Sequence, residues 1–222
     1  MPKTARLLPQ YLTERYRAWR ALRFEKDRAW YARLAEGGQH PRAMVFSCCD
    51  SRLDAVGLFG AEPGDLFVVR NVANLVPPYA PDHAHHGASA ALEYAVTVLK
   101  VAHIVVLGHS NCGGVEACHD MCSGAAPHLQ EATSFVGRWM SILAPGYDLV
   151  AATGSRAERL RLLEQEAVRV SLRNLESFPF VREAVAANLL TLHGAWMDIG
   201  EGALHVFSSE TRQFAPLDPA RA

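Results

Sequence analysis

Three short apolar runs, none alternating with polar residues, do most to restrict the folds open to this chain. They are Ala43-Met44-Val45-Phe46-Ser47-Cys48, Leu66-Phe67-Val68-Val69-Arg70 and His103-Ile104-Val105-Val106-Leu107. A strand with one face in water alternates with a period of two, so a run apolar at nearly every position needs cover on both faces. The intervening segments can supply that cover. Gly87 to Lys100 puts Ala91, Tyr94, Ala95 and Val98 on one helical stripe, and Glu62-Pro63-Gly64-Asp65 signals a turn before the second run. Strands alternating with helices imply an α/β fold: a mainly parallel central sheet flanked by helices, with right-handed crossovers.

The flanking regions read differently. Leu8, Tyr11, Leu12, Tyr16, Trp19 and Leu22 share one helical face, interrupted by Arg15, and a second short helix is expected over Ala29–Ala35. Lying ahead of the core pattern, residues 1–38 read as a helical arm, packed on the body, on a second subunit, or simply covering the monomer. After the third run, helices are expected over Val115–His119, Leu129–Leu143, Arg156–Leu175 and Pro179–Ala187. Leu189–Trp196 and Ala203–Ser208 read as a hairpin around Gly200-Glu201-Gly202. With no repeat or low-complexity linker, 222 residues form one domain, its α/β core spanning 39–210.

Charge narrows the partners. Basic and acidic residues nearly cancel, 22 against 23, which gives no reason to expect nucleic acid or an anionic membrane surface. No apolar run reaches the roughly 18 residues of a membrane-spanning helix. Met1 to Leu22 lacks a signal-peptide core, and Glu14, Glu25 and Asp27 argue against a transit peptide, so the expected address is the cytoplasm. The five cysteines, at 48, 49, 112, 118 and 122, do not read as a disulfide framework without a secretion signal. In a reducing compartment, cysteines that matter are ligands or nucleophiles.

Two buried strands end in such groups. The first ends in Cys48, followed by Cys49-Asp50-Ser51-Arg52; the third runs into Gly108-His109-Ser110-Asn111-Cys112-Gly113-Gly114. Functional groups of open α/β sheets gather at the carboxyl ends of strands, so both segments belong at one edge. Cysteine thiolate and neutral imidazole are the ligands zinc prefers, and three of them with a fourth position left to water is the catalytic pattern. Gly113-Gly114 is expected to let the backbone turn, and the following helix N-terminus favours the Cys112 thiolate. Asp50 could be the fourth ligand, or could accept a hydrogen bond from zinc-bound water while Arg52 clamps it. Taken singly, a strand-end cysteine is more often packing and Asp-Ser-Arg more often a surface turn. Together, Cys-x-Asp-Ser-Arg and His-x-x-Cys at strand ends favour the metal site.

At these residues the chain resembles the β-class carbonic anhydrases. The resemblance includes Cys48 to Arg52, Gly108 to Gly114, Arg70-Asn71-Val72-Ala73-Asn74 and Ser89 to Ala95, and extends from about Gln39 to Val206. Glu166 to Glu183 is similar to the plant-type branch. The resemblance implies that Cys48, His109 and Cys112 bind one zinc ion and that Asp50 and Arg52 form a dyad. It implies a CO2 pocket lined by Gln39, Phe67, Val72, Tyr94 and Gly113, partly supplied by a neighbouring subunit, so the chain should be at least a dimer. It also implies an added edge strand. One branch of the family is switched off by bicarbonate held beside a tryptophan three residues before the first zinc cysteine. Val45 stands there, so no such switch is expected even though Arg70 matches.

The implied reaction is reversible hydration of CO2 to bicarbonate and a proton by zinc-bound hydroxide. Because two thiolates cancel the formal charge of zinc, the bound water should be less acidic than the value of about 7 in a three-histidine site. His83, His85 and His86 could relay protons, though solvated loop histidines are the plainer reading. Cys118 and Cys122 read as packing residues, and Cys49 as structural. The competing functions are hydrolysis of carbonyl sulfide or carbon disulfide at the same zinc, and a non-catalytic zinc-binding subunit.

Overall fold

A computed structural model describes residues 6–81 and 87–217. His83, His85 and His86 lie outside the described residues. The chain separates into two compact units, Met1–Gln39 and His40–Ala222.

The first unit is a helical arm. Helix α1 (Gln10–Trp19) continues as a π turn over Arg20–Phe24, and α2 (Arg28–Gly37) ends at Gly38, whose φ of 75° a side chain would disfavour. Trp19 organises it, with ring centroids 6.1 Å from Tyr16, 5.8 Å from Phe24 and 5.8 Å from Tyr31. The expected apolar face is present, and its side chains are exposed: Leu8 is 69% exposed, Tyr11 58% and Leu22 78%.

The second unit is built on a sheet of six strands among the described residues, in the order β2-β1-β3-β4-β5-β6. The strands are β1 (Ala43–Cys48), β2 (Leu66–Asn71), β3 (His103–His109), β4 (Thr191–Asp198), β5 (Ala203–Ser208) and β6 (Gln213–Pro216). The first four in spatial order pair in parallel, and β5 and β6 add antiparallel at the edge. Two of the three unpatterned runs, β1 and β3, are interior strands of a mainly parallel α/β sheet, as expected, whereas the third, β2, forms an edge of the sheet and is only half-buried. Met44, Phe46, Ile104 and Val106 enter one apolar cluster, and Val45 and Leu107 the other. Full burial of such side chains is worth about 1.5–3 kcal/mol each, which fixes the register against a one-residue slip.

The connections place the site. From β1 the chain crosses to β2 on one side and later to β3 on the other. That reversal opens a crevice beyond the carboxyl ends of β1 and β3, where Cys48 and His109 end their strands. Helix α4 (Gly87–Glu93) passes into a π turn over Tyr94–Val98, and Lys100 then adopts φ 56° to enter β3, so the single helix expected over Gly87–Lys100 is divided.

Helices α5 (Gly113–Cys122), α6 (Phe135–Met140), α7 (Ala144–Val150), α8 (Arg156–Leu175) and α9 (Pro179–Ala186) follow. The helix expected over Leu129–Leu143 is not continuous. The Ser134 hydroxyl accepts from the Gly137 N–H at 3.0 Å and caps a new helix, α6, after the short 3-10 turn Pro127–Gln130. Helix α8 follows its expected bounds because Ser155 and Glu158 form a complete capping box and Leu163, Ala167, Val170 and Leu175 are buried along it. The short helix α3 (Ala55–Leu58) and strand β6 were not foreshadowed by periodicity: both are too brief to carry one. No described helix is long and apolar enough to cross a membrane.

Candidate metal centre

Cys48, His109 and Cys112 come together at the end of the sheet, all buried, with their ligand atoms within 4.8 Å of one another. Each arrives by a different device. Cys48 is the last residue of β1 and His109 the last of β3. Cys112 is the N-cap of α5, reached through a turn at Asn111. That turn was assigned to Gly113-Gly114 from sequence, but Asn111 makes it, with φ 55°. Asparagine tolerates this left-handed region better than most residues.

The glycines have other uses. A Cβ at Gly113 would meet open space, which leaves the mouth of the centre clear. A Cβ at Gly114 would lie 2.5 Å from Val72 Cγ1 and 3.2 Å from the Ala73 backbone nitrogen. Gly114→Ala is therefore expected to lose roughly 1–3 kcal/mol to overpacking, offset by up to about 1 kcal/mol of helix propensity. A lowered denaturant midpoint would register the net loss.

The geometry fits zinc. Two sulfurs each about 2.3 Å from a tetrahedral ion stand about 3.8 Å apart. Cys48 Sγ and Cys112 Sγ are 3.8 Å apart. His109 Nδ1 donates to the Ser110 carbonyl at 2.9 Å, a bond that puts the ring lone pair on Nε2. That Nε2 is buried without a hydrogen-bond partner, as an atom reserved for a metal would be.

Electrostatics point the same way. The Cys48 thiol is driven down to about 4, first by the Cys112 thiol donating to it, then by His109 and the backbone N–H groups of Asp50 and Ala73. Cys112 moves upward for the reciprocal reason, with burial adding to the shift. The two shifts are opposite in direction, so the pair disfavours a second negative charge, and a divalent ion would supply the positive charge that offsets it. Burial works against a charged His109, but the Cys48 sulfur and the Ser110 carbonyl outweigh it and the net direction is up.

Asp50 and Arg52 stand beside this cluster. Arg52 Nε donates to Asp50 Oδ1 at 2.9 Å and Nη2 to Oδ2 at 2.7 Å, a bidentate pair. Arg52 Nη2 also reaches the Asn111 carbonyl at 2.9 Å, tying the Cys48 loop to the Cys112 loop. The Arg52 side chain and its backbone N–H hold the Asp50 carboxyl well below the usual carboxylate range. Asp50 Oδ2 is 4.0 Å from His109 Nε2.

The pocket candidates separate. Val72 lies against Gly114, and its carbonyl accepts from Trp139 Nε1 at 2.8 Å. Phe67 and Tyr94 pair with each other at 6.1 Å, Phe67 packing on the apolar cluster of Met44 and Phe46 and Tyr94 remaining 44% exposed. Gln39 belongs to the arm unit. Cys118 is buried in the core with Cys122 packed against the same cluster, whereas Cys49 is exposed and its N–H donates to the Asn71 carbonyl at 2.9 Å.

Three supporting residues escaped the sequence reading. Arg70 donates to the carbonyls of Cys48 at 3.0 Å, Asp50 at 2.7 Å and Leu53 at 2.8 Å, bracing the whole Cys48 loop. Glu164 of α8, 5% exposed, accepts from Cys112 N–H at 3.2 Å and Trp196 Nε1 at 3.2 Å; burial raises its pKa and those bonds oppose the rise. Ala73, at φ 62°, aims its N–H toward Cys48. The arginine within Arg70-Asn71-Val72-Ala73-Asn74 was the one available signal.

Comparison with known proteins agrees with this centre. The profile of the carbonic anhydrase family matches residues 43–204. β-Carbonic anhydrase 3 of Arabidopsis thaliana is 39% identical over 187 residues, 83% of this chain and 70% of that protein. The chain belongs to the β-carbonic anhydrase family. Members are zinc-dependent lyases, and the Cys48–His109–Cys112 cluster of this carbonic anhydrase can hold that zinc. Its fold is that of the β-carbonic anhydrase CcaA, with TM-score 0.85 and 30% identity over 94% of this chain and 92% of the other. Tetrameric β-carbonic anhydrases from the ascomycete Sordaria macrospora match with TM-score 0.73 and 31% identity, over 88% and 94% of the two chains. A Coccomyxa β-carbonic anhydrase in complex with acetazolamide matches with TM-score 0.74 and 30% identity, over 88% and 84%.

Proposed function

We propose that this carbonic anhydrase hydrates CO2 reversibly to bicarbonate and a proton, with Asp50 and Arg52 orienting the nucleophile. The bidentate Asp50–Arg52 pair beside the cysteine–histidine cluster carries the reading. Zinc at that cluster supplies a Lewis acid that lowers the pKa of water and makes a nucleophile available near neutral pH. Arg52 keeps the Asp50 carboxylate ionised, and an ionised carboxylate accepts hydrogen bonds and cannot donate them. Asp50 then takes the hydrogen-bond donor of the attacking group and turns its lone pair toward carbon. Arg52, by also donating to the Asn111 carbonyl, ties that carboxylate to the loop that carries Cys112.

The same reading gives CO2 an apolar pocket of Phe67, Val72, Tyr94 and Gly113, with Gln39, completed by a second copy of the chain. The exposed apolar face of the arm and the tetrameric Sordaria relatives support an assembly of at least two subunits. No bicarbonate switch is expected: Val45 is a core residue, and Arg70 is engaged with three backbone carbonyls.

Stopped-flow CO2 hydration on protein of known zinc content, across pH and with added bicarbonate, tests the proposal. Activity is expected to rise with pH above neutrality and to show no cooperative shut-down by bicarbonate. Asp50 contributes no limb near neutrality, because its folded pKa lies below that of a free carboxyl group. An acid limb centred near pH 4 would put a carboxylate in control and overturn the scheme. Full zinc occupancy without hydration at any pH would hand the centre to carbonyl sulfide or carbon disulfide.

A further inference from the structure

The opposite end of the sheet carries a second convergence of metal-binding side chains. β3 begins at His103 and β4 at Thr191; the two are register partners, and His193 follows two residues later on the same face as Thr191. His103 Nδ1 lies 2.7 Å from Thr191 Oγ1, and His193 Nε2 lies 2.8 Å from that same oxygen. The ring centroids are 5.5 Å apart at an interplanar angle of 58°. His103 is half-buried, while Thr191 and His193 are exposed.

The plain account is a hydrogen-bonded strut between neighbouring strands. A hydroxyl has one proton, and Thr191 Oγ1 also donates to the Ala102 carbonyl at 3.4 Å, so at most one of the two ring nitrogens accepts from Thr191 and at least one donates to it. Moving each such N–H to its ring's other nitrogen leaves both rings with a lone pair at the same point. Two neutral imidazoles aimed at one position from adjacent strands form a chelating pair, and imidazole suits zinc, copper and nickel. Burial and the neighbouring His103 both lower the His193 pKa, which favours the neutral ring.

We infer that His103 and His193, with the Thr191 hydroxyl between them, form a second site for a divalent transition metal ion such as zinc. With two nitrogen ligands, no thiolate and the remaining positions left to water, it is weaker and more readily exchanged than the Cys48–His109–Cys112 centre. His103 and His109 sit at opposite ends of β3, about 20 Å apart at 3.3 Å per residue. Occupancy therefore reaches the catalytic end through no direct contact.

The test uses protein with its catalytic centre already filled by zinc. Isothermal titration with zinc chloride, checked by counting metal after equilibrium dialysis, should show a second equivalent in the wild type. His103→Ala and His193→Ala should each weaken that equivalent at least 10-fold, while CO2 hydration without added zinc stays unchanged. Excess zinc should raise the unfolding temperature of the wild type more than that of either variant. Should an alanine variant fail to fold, His193→Gln, which can still bond Thr191, serves in its place. A wild type that takes up no further zinc, or a second equivalent that persists undiminished in the variants, overturns the inference.

Discussion

Cys112→Ser is expected to lose zinc and, with it, CO2 hydration by more than about 100-fold. Changing a residue that merely supports a metal ligand costs about 10–100-fold in affinity or activity, so removing the ligand itself exceeds that. The local geometry sharpens the expectation. Cys112 caps α5, and the Gly114 and Val115 N–H groups near its sulfur oppose the rise in pKa that Cys48 and burial impose, which helps a bound cation ionise it. A serine hydroxyl in the same place stays protonated and ligates poorly. Cys48 then faces His109 across a centre with two protein ligands instead of three. Metal content by elemental analysis and stopped-flow rates on the same sample check this, and the apo protein should unfold at lower temperature because bound zinc stabilises the folded state by mass action. Retention of stoichiometric zinc with normal turnover in Cys112→Ser would contradict the assigned ligand set.

Asp50→Asn is expected to lower kcat by about 10²–10³, the usual cost of removing one preorganised hydrogen-bonding group at a reacting centre. Zinc content should not change, which separates this variant from the ligand variant. An amide of the same shape keeps one bond from Arg52 but gives up the charge that makes the second strong, and its NH2 group can donate where the carboxylate accepts. The charge also fixes the acid stability. The folded pKa of Asp50 is depressed by Arg52, so whatever the pair contributes to stability is present above the unfolded value of about 3.9 and disappears as pH falls below it. Asp50→Asn should flatten that part of the acid unfolding curve. Full activity in Asp50→Asn would dismiss the dyad and leave zinc alone as the source of catalysis.

The metal ligands were legible because they are local events. Cys48 and His109 each follow an unpatterned apolar run, and His109 and Cys112 are close enough in sequence for one loop to deliver both. Asp50 and Arg52 were legible for the same reason: a separation of two residues lets a side chain reach its own loop, as the Arg52–Asp50 bonds do. Glu164 was not, because it is one of several acidic residues on a long helix, and only packing of α8 against the sheet puts it under the Cys112 N–H. Nor was the bracing by Arg70, whose acceptors are backbone carbonyls that no sequence pattern marks. The break near Ser134 was hidden because the apolar period continues across it while the backbone at Glu131 and Ser134 is extended.

By itself, then, the sequence determined the mainly parallel α/β architecture, the Cys48–His109–Cys112 cluster that can hold zinc and the local Asp50–Arg52 pair, since burial on strand faces and loop-range spacing leave their mark on residue order. Tertiary structure alone decided how these meet. Strand order puts β1 beside β3, so that Cys48 and Cys112, 64 positions apart, bring their sulfurs to 3.8 Å. It also set Phe67 on an apolar cluster with the Tyr94 ring 6.1 Å away, and Val72 against Gly114. Distance along the chain carries no information about such meetings; they follow from which strands pair and which faces find cover.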